Sequence, residues 1–319
     1  MELNPALVCH MYYEDRLTQQ QIATTLGCSR IQVSRTLQQA RAEGIVEIKI
    51  RYNNFHPETE ARLHGAFPGV SFKVVDSFEG STSALHKALA AATGTYLETF
   101  LPKNATVGVG WGSTLHAVAN YLPYQVSAAR FLPLVGGQSQ LGIQYHASSV
   151  ASTMAQRTGG STETLLAPAV AATQEEKQSF VAARQVSDVI DEAAACSYAI
   201  FSVGAPFSAS STLRRVGYFS VDDIELLKRE KAACDIISAV YFNSDGERCA
   251  ENLANRMVGV SDSQLQSIGT KICVAGGRDK AEAIRIALTN GYVDTLITDI
   301  DVANELMRSA VRGGQRDVR

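Results

Sequence analysis

Two glycine-rich segments of the chain combine backbone amides, hydroxyls and a lysine in an order that suits the binding of a phosphate group. The first is Gly110-Trp-Gly-Ser-Thr114, which follows the apolar run Thr106–Val109. The second is Gly276-Gly-Arg-Asp-Lys280, which follows the apolar run Ile272–Ala275. Each segment leads into a helical pattern. Glycine lets backbone N–H groups approach a ligand, and a helix N-terminus attracts negative charge, so both segments predict an anion site.

The segment from Gly110 to Thr114 departs from the known nucleotide-binding motifs. It has neither the lysine of a P-loop nor the full spacing of a dinucleotide-binding turn, which argues against nucleoside triphosphates. Two functions stay open for it. It is either a phosphate cradle completed by the hydroxyls of Ser113 and Thr114, or a tight strand-to-helix turn whose glycines serve geometry alone.

Lys280 gives the second segment its chemical interest. We expect Asp279 to cap the helix that follows, which places Lys280 in the first helical turn. The helix dipole disfavours a cation there by roughly 0.3–1 kcal/mol, and a bound phosphate would remove that penalty. A solvated lysine is the competing interpretation, because the penalty is small.

Polar positions after other apolar runs are weaker candidates. Pro133-Leu-Val-Gly-Gly137 precedes a polar stretch in which Gln144 or His146 could hydrogen-bond a polyol, although either side chain could equally lie at the surface. Asp245-Gly246 has the composition of a hairpin turn, so an effector role for Asp245 needs other support.

Apolar runs alternate with helical patterns over most of the chain after Ser71. Such alternation is typical of βαβ units, so we predict an α/β body with a doubly wound, mostly parallel sheet. Ligands of such sheets bind beyond the carboxyl ends of the strands, where the glycine-rich segments lie. The predicted strands are Phe72–Val75, Thr106–Val109, Phe131–Val135, Ala199–Val203, Ile236–Phe242, Ile272–Ala275 and Thr295–Thr298.

The first fifty residues carry a helix-turn-helix pattern. Apolar residues recur on one face of a helix around Ile22 and of a second helix around Val33, and Gly27 between them allows a tight turn. Thr18 and Ser29 are each followed three residues later by glutamine, which matches the capping box of a helix start. We therefore expect the second helix to begin at Ser29.

This second helix is predicted to read DNA in the major groove. Arg30 and Arg35 are the firmer contacts, because Gln32 is needed for capping. A strand at Ile45–Tyr52 would complete a winged module, and residues 29–51 hold five cations against two anions, which suits phosphate contact. Two helices that merely pack together are the alternative. The predicted DNA-binding residues are Thr18, Gln19, Ser29, Arg30, Ile31, Gln32, Ser34 and Arg35.

Length and composition bound the remaining possibilities. At 319 residues and a formal net charge of −3, the chain suits a small head with a larger body and is not a globally basic nucleic-acid coat. The six cysteines include no Cys-x-x-Cys pair and the six histidines no zinc-like spacing, so we expect free thiols, no metal and no cofactor. The chain has no signal-like start and no apolar run of about twenty residues, which predicts a cytoplasmic protein without membrane contact.

Head and body together resemble the SorC family of bacterial transcriptional regulators, from about Leu7 to Ser309. Each motif that carries the likeness is weak alone, but the ensemble is specific. The motifs are Tyr12-Tyr-x-x-x-Leu-Thr-x-x-x-Ile-Ala, Ser34-Arg35, Gly44-Ile-Val46, Gly110-Trp-Gly-Ser-Thr114, Leu134-Val-Gly-Gly137, Tyr145-His146, Asp245-Gly246, Ala275-Gly-Gly-x-x-Lys280 and Gly291-Tyr-Val-Asp-Thr-Leu-Ile-Thr298.

The resemblance implies a tetrameric repressor or activator of a carbohydrate-use operon, whose affinity for palindromic operators changes when a sugar or sugar phosphate binds. The Asn- and Pro-containing break at 52–59 and the lack of apolar periodicity from Arg312 divide the chain into a winged helix-turn-helix domain at 1–54, an effector-binding and oligomerisation domain at 55–310 and a disordered tail at 311–319. The resemblance also implies that the first loop and Lys280 hold phosphate, and that His146 and Asp245 lie near sugar hydroxyls. The effector-binding residues it implies are Gly110, Trp111, Gly112, Ser113, Thr114, Gly136, Gly137, His146, Asp245 and Lys280.

Two residues depart from the family pattern. Trp111 stands where many relatives have a small residue, which predicts a narrower pocket or a less phosphorylated ligand. His146 stands where asparagine or glutamine is frequent, which predicts a different hydroxyl pattern.

The competing function is a sugar-phosphate isomerase-like enzyme with an appended helical domain. The side chains available to it as a base are Asp235, Asp245, His116 and His146.

Overall fold

The chain forms two compact units, Met1–Arg51 and Tyr52–Arg319. Each unit has its own apolar core, and each is described separately below. The computed structural model describes residues 3–46, 55–122, 129–137, 142–208, 211 and 218–314.

Within residues 3–46, the first unit contains three helices, α1 (Pro5–Tyr13), α2 (Gln19–Leu26) and α3 (Arg30–Ala42). Both predicted capping boxes are present, with Thr18 and Ser29 as the N-cap residues of α2 and α3. Gly27 ends α2 with a φ of 62°, in the left-handed region that favours glycine. The helix-turn-helix prediction is therefore confirmed, whereas most of the predicted wing strand falls on residues 47–52, outside the described residues.

The second unit is built on a seven-stranded parallel sheet of order β1-β11-β10-β5-β2-β3-β4. A smaller antiparallel sheet of order β6-β7-β8-β9 stands beside it in the same unit. The strands are β1 (Ser71–Val75), β2 (Thr106–Val109), β3 (Arg130–Pro133), β4 (Ser161–Thr162), β5 (Tyr198–Phe201), β6 (Val203–Gly204), β7 (Ala232–Ile236), β8 (Val240–Asn243), β9 (Arg248–Cys249), β10 (Thr270–Val274) and β11 (Thr295–Asp299).

Successive side chains on the strands of the large sheet point alternately to its two faces and enter two different apolar cores. Helices therefore cover both faces of the sheet. Ile200 and Phe201, which are neighbours on β5, belong to different cores. This arrangement confirms the doubly wound α/β prediction. The helices are α4 (Pro57–Ala66), α5 (Thr82–Phe100), α6 (Ser113–Tyr121), α7 (Ala147–Thr158), α8 (Gln174–Ala182), α9 (Arg184–Ala194), α10 (Val221–Arg229), α11 (Glu251–Ala254), α12 (Asp262–Ser267), α13 (Ala281–Thr289) and α14 (Ile300–Gly314), with 3₁₀ turns at Ile143–Tyr145 and Arg278–Lys280.

The sheet has a topological switch point between β2 and β5. The chain leaves β2 for β3 on one side and leaves β5 for β10 on the other. The crossovers therefore diverge, and the loops after β2, β5 and β10 surround a crevice at the carboxyl ends of these strands.

The sequence predicts one strand over the apolar run Ile236–Phe242. The structure has a hairpin there instead, in which a turn joins the end of β7 to β8. Ile237 and Ser238 form its turn with φ values of 47° and 63°. The Asp235 carboxylate stabilises the turn by accepting a hydrogen bond from the Ser238 N–H at 2.7 Å. The run contains no glycine or proline, so its sequence does not mark the turn.

The end of the chain also differs from the prediction. Helix α14 continues to Gly314, so the tail expected from residue 311 does not begin there. Residues 315–319 lie outside the described residues.

Candidate functional sites

Helix α6, which follows the glycine-rich loop after β2, begins without a side-chain cap. Its N-cap is Gly112, whose φ of 118° is strained for other residues. The N–H of Gly112 donates to the carbonyl oxygen of Tyr145 at 2.8 Å, and that of Gly110 donates to a carbonyl of β5 at 2.9 Å. The loop glycines therefore serve the fold, and the amides open to an anion are those of the first helical turn, where Ser113 and Thr114 lie.

A cleft opens at the switch point, next to this helix start. We name it the Asp235 cleft; it is lined by residues 111–114 and 202–206 together with Ser211, Asp235, Ile237 and Lys280. Lys280 is half-buried, and burial lowers the pKa of its amine. The predicted phosphate loop and the predicted lysine therefore meet in one cleft.

Asp235 is the buried carboxyl of this cleft, with 4% of its surface exposed. Burial raises its pKa to about 7, against the opposing effects of the Ser238 N–H and the positive charge of Lys280. A carboxyl group with such a pKa can both donate to and accept from hydroxyl groups near neutral pH, which suits a polyol.

Replacing this carboxyl by an amide, Asp235→Asn, should stabilise the protein at alkaline pH. Because the folded-state pKa is higher than the unfolded value of 3.8, folding stability in the wild type falls as the pH rises from about 4 to 7 and stays low above that. Asparagine can still accept the Ser238 hydrogen bond but has no charge to bury. We expect a gain of about 3 kcal/mol in the free energy of unfolding at pH 8.

Urea unfolding of wild type and Asp235→Asn at pH 5 and pH 8 measures this effect. The gain should shrink at pH 5, where the wild-type carboxyl is largely protonated. An equal effect at both pH values would show that Asp235 is not the titrating group.

A second cleft adjoins the first, and Ser113 and Lys280 line both. We name it the His86 cleft; it is also lined by the first turns of α5, one face of α6, Tyr145 and the loop 276–279. His86 Nε2 lies 3.4 Å from Thr114 Oγ1. Burial and the nearby charge of Lys280 lower the pKa of His86 to about 4, so this imidazole is neutral at pH 7.

Asp299, at the end of β11, fixes the loop that carries Lys280. Its carboxylate accepts from the Gly277 N–H at 2.6 Å and from the Asp301 N–H at 2.9 Å. Burial raises the pKa of Asp299.

The predicted cap at Asp279 is wrong: Asp279 lies inside a 3₁₀ turn, and α13 begins after Lys280 without a side-chain cap.

The glycine pair Gly136–Gly137 serves backbone packing. Their N–H groups donate to the carbonyl oxygens of Val258 and Ala167, each at 2.9 Å. A Cβ atom on Gly136 would lie 2.3 Å from the carbonyl oxygen of Pro168, so no larger residue fits. Neither glycine lines the two clefts, and this placement does not support the predicted effector contacts.

The Tyr218 ring packs against both Trp111 and His146. The Trp111 ring forms a wall of the Asp235 cleft and lies 5.4 Å from the Tyr218 ring, which in turn lies 5.2 Å from the imidazole of His146. His146 is 4% exposed and lines neither cleft in the described part of the chain. The tryptophan is therefore placed to shape the cleft, whereas His146 is a buried neighbour of Tyr218.

Asp245 lines neither of the two clefts. It sits in the exposed turn between β8 and β9, where its N–H donates to the Asn243 side chain at 3.0 Å. The prediction of a hairpin turn at Asp245-Gly246 is confirmed, but this placement does not support effector binding. The carboxyl that does enter the cleft is Asp235, on the neighbouring strand β7.

In the first unit, the predicted DNA-binding residues fall into three groups. Thr18, Ser29 and Gln32 are engaged in the two capping boxes. Arg30 and Gln19 line a cleft at the start of α2. Exposed or partly exposed on the surface of α3 are Ile31, Ser34 and Arg35.

Three residues that matter in these sites were not singled out as binding residues from the sequence. Asp235 follows only a short apolar run, His86 is one polar residue inside an alanine-rich helical pattern, and Asp299 ends a strand. The acidic residues at the ends of β7 and β11 were the available signal, since strand ends in α/β sheets carry ligand contacts.

The described residues contain no group of three or more His, Cys, Asp or Glu side chains placed to hold a metal ion. Among the same residues, no helix has both the length and the apolar character needed to cross a bilayer.

Comparison with known proteins gives matches to both units. The family model described as "Putative sugar-binding domain" matches residues 53–308, and a Crp-like helix-turn-helix domain matches residues 9–56. The deoxyribonucleoside regulator of Bacillus subtilis is 29% identical over 307 residues, which cover 93% of this chain and 95% of that protein. The transcriptional regulator LsrR of Escherichia coli is 28% identical over 312 residues, with 95% and 94% coverage.

Solved structures show the same fold. The sugar-binding domain of a transcriptional repressor from Vibrio fischeri matches with a TM-score of 0.71 at 25% identity, covering 80% of this chain and all of that one. The full-length sorbitol operon regulator SorC from Klebsiella pneumoniae matches with a TM-score of 0.71 at 22% identity, covering 95% and 98%.

These matches extend over both units: this chain matches a helix-turn-helix model and a sugar-binding-domain model, and the relatives are named as regulators. They favour a sugar-responsive DNA-binding regulator over the isomerase-like enzyme. The chain therefore belongs to the sugar-binding-domain family of SorC-type transcriptional regulators.

Proposed function

We propose that the effector is a phosphorylated sugar or polyol whose phosphate binds between the first turn of α6 and Lys280. The observation that carries this proposal is the uncapped helix start facing the same cleft as a half-buried lysine. Both groups are electropositive, and an anion between them would satisfy the helix amides and offset the cost of burying the lysine charge.

The sugar itself is assigned to the Asp235 cleft. Asp235 and the hydroxyls of Ser202 and Ser113 provide hydrogen-bonding groups on its polar side, and Trp111 provides an apolar wall. Trp111 reduces the width of the cleft, which favours a short linear or five-membered ring over a large one. Asp235 takes the role that was expected of Asp245.

On DNA, we assign base contacts to Arg35 and Ser34 and backbone contacts to Arg30, Thr18 and Gln19. The capping residues Thr18 and Ser29 lie with Arg30 at the starts of α2 and α3, where helix amides also face phosphate groups. The protein would act in the cytoplasm as a homotetramer on the operator of a carbohydrate-use operon. Effector binding changes operator affinity because the effector prefers one arrangement of the DNA-binding units.

A thermal-shift screen of the full chain tests the effector class. The panel pairs each sugar with its phosphate and includes deoxyribose and sorbitol, which the names of two relatives indicate. A ligand at 100 times its Kd should stabilise the protein by about 2.7 kcal/mol. Stabilisation by a phosphorylated compound but not by its parent sugar supports the proposal, and the reverse pattern contradicts it.

The best compound from this screen is then added to a gel shift with promoter fragments. A change in the retained fraction without turnover of the compound identifies a regulator. No retention of any fragment at low ionic strength, with or without the compound, would contradict the assigned DNA-binding function.

A further inference from the structure

The solvent-facing surface of α3 has an apolar residue at the end that would enter DNA first. Its buried face is formed by Val33, Leu37 and Ala40. At 3.6 residues per turn, the opposite face carries Ile31, Ser34, Arg35 and Gln38. Ile31 is 66% exposed, more than any other large apolar residue described in the first unit.

The residues on either side of Ile31 are directed elsewhere. The Oε1 atom of Gln32 accepts from the Ser29 N–H at 2.9 Å and from the Ser29 hydroxyl at 3.0 Å, so this side chain is bent back over the helix start. Arg30 lines the cleft at the start of α2 with Arg16 and Thr18, on the side where a recognition helix meets the DNA backbone. The first turn of α3 therefore presents an isoleucine to the base edges.

Only one base offers an apolar group in the major groove. Thymine carries a C5-methyl group there, cytosine carries only a hydrogen at C5, and the edges of adenine and guanine present hydrogen-bond donors and acceptors. An isoleucine cannot satisfy those donors and acceptors, and covering them would leave them unpaired. The chemistry of this surface position therefore selects for thymine.

We propose that Ile31 reads a thymine methyl group in each half-site of the operator and makes thymine the preferred base at that position. The inference rests on the DNA-binding function assigned above. It adds the identity of one base and of the residue that recognises it.

The test removes the methyl group and nothing else. A duplex selected by the full-length wild-type protein from a random-sequence pool is resynthesised with uracil in place of thymine, one position at a time and then at all positions. Wild-type protein should bind less tightly by about fourfold for each contacted methyl group that is lost. The weakening should be confined to the same position in each half-site.

Variants of the protein complete the experiment. Ile31→Ala should bind the thymine duplex less tightly and no longer distinguish thymine from uracil, and Ile31→Val should retain part of the distinction. Leu7→Ala, which truncates an apolar side chain on α1 that is 45% exposed, should keep the full wild-type distinction. Far-ultraviolet circular dichroism checks that each variant is folded.

The possible results separate the two claims. If no duplex can be selected, the DNA-binding function fails and this inference fails with it. Selection of a duplex that wild type binds equally well with thymine and uracil overturns the inference alone. The same applies if Ile31→Ala keeps the wild-type ratio between the two duplexes.

Discussion

Lys280→Met should abolish the response to a phosphorylated effector while leaving effector-free operator binding unchanged. Lys280 borders both clefts and is the cation that faces the start of α6. Methionine keeps much of the aliphatic stem but cannot form charge-assisted hydrogen bonds, which are worth about 1.5–3 kcal/mol each. Calorimetric titration with the best compound of the thermal-shift screen should show binding weakened by about 10- to 150-fold.

A matched variant separates this effect from a general loss of positive charge. Lys228→Met removes the same charge from the exposed surface of α10 and should bind the effector as wild type does. Lys280→Met should also fold well, because burial disfavours the charge that it removes. If Lys280→Met bound the phosphorylated compound with wild-type affinity, the phosphate could not be held between this lysine and α6.

Arg35→Ala should abolish operator retention and leave effector binding intact. Arg35 is exposed on the same face of α3 as Ile31 and Ser34, opposite the buried core of the unit. Loss of one arginine contact to a base or a phosphate costs about 1–3 kcal/mol, and two half-sites double the loss. A fluorescence-anisotropy titration should show operator binding weakened by about 30-fold or more, with an unchanged effector-induced thermal shift.

Arg62→Ala is the control for this change. It removes an exposed arginine from α4 in the other unit, so it alters net charge equally but should leave operator affinity within twofold of wild type. Wild-type affinity in Arg35→Ala would withdraw this residue from the DNA contacts. A loss in both variants would point to long-range electrostatics instead of a contact.

Features that depend on neighbours in sequence were predictable. The capping boxes at Thr18 and Ser29 need only residues three positions apart, and both formed as expected. The strand at Thr106–Val109 has the predicted bounds, because a short apolar run followed by glycine marks a buried strand before a turn. In these cases the local free energy and the tertiary fold favour the same conformation.

Features that depend on residues distant in sequence were not predictable from the sequence. Asp279 has the composition of an N-cap, yet the preceding glycine is held by Asp299, twenty-two residues from Gly277 in sequence, and the segment forms a 3₁₀ turn instead. Ile237 and Ser238 look like strand residues, but they take left-handed conformations in a turn stabilised by the Asp235 carboxylate.

The amino-acid sequence by itself determined the helix-turn-helix, the alternating α/β body and the positions of the two glycine-rich segments at strand ends, because periodicity, caps and glycine turns are local properties. The tertiary structure decided which carboxyl accompanies them. Asp245 and Asp235 both lie beside apolar runs. Asp235 enters the cleft because β7 lies next to the segments that follow β2, β5 and β10. Sequence periodicity tells which face of a strand is buried; it does not tell which loops, more than a hundred residues apart, converge in space.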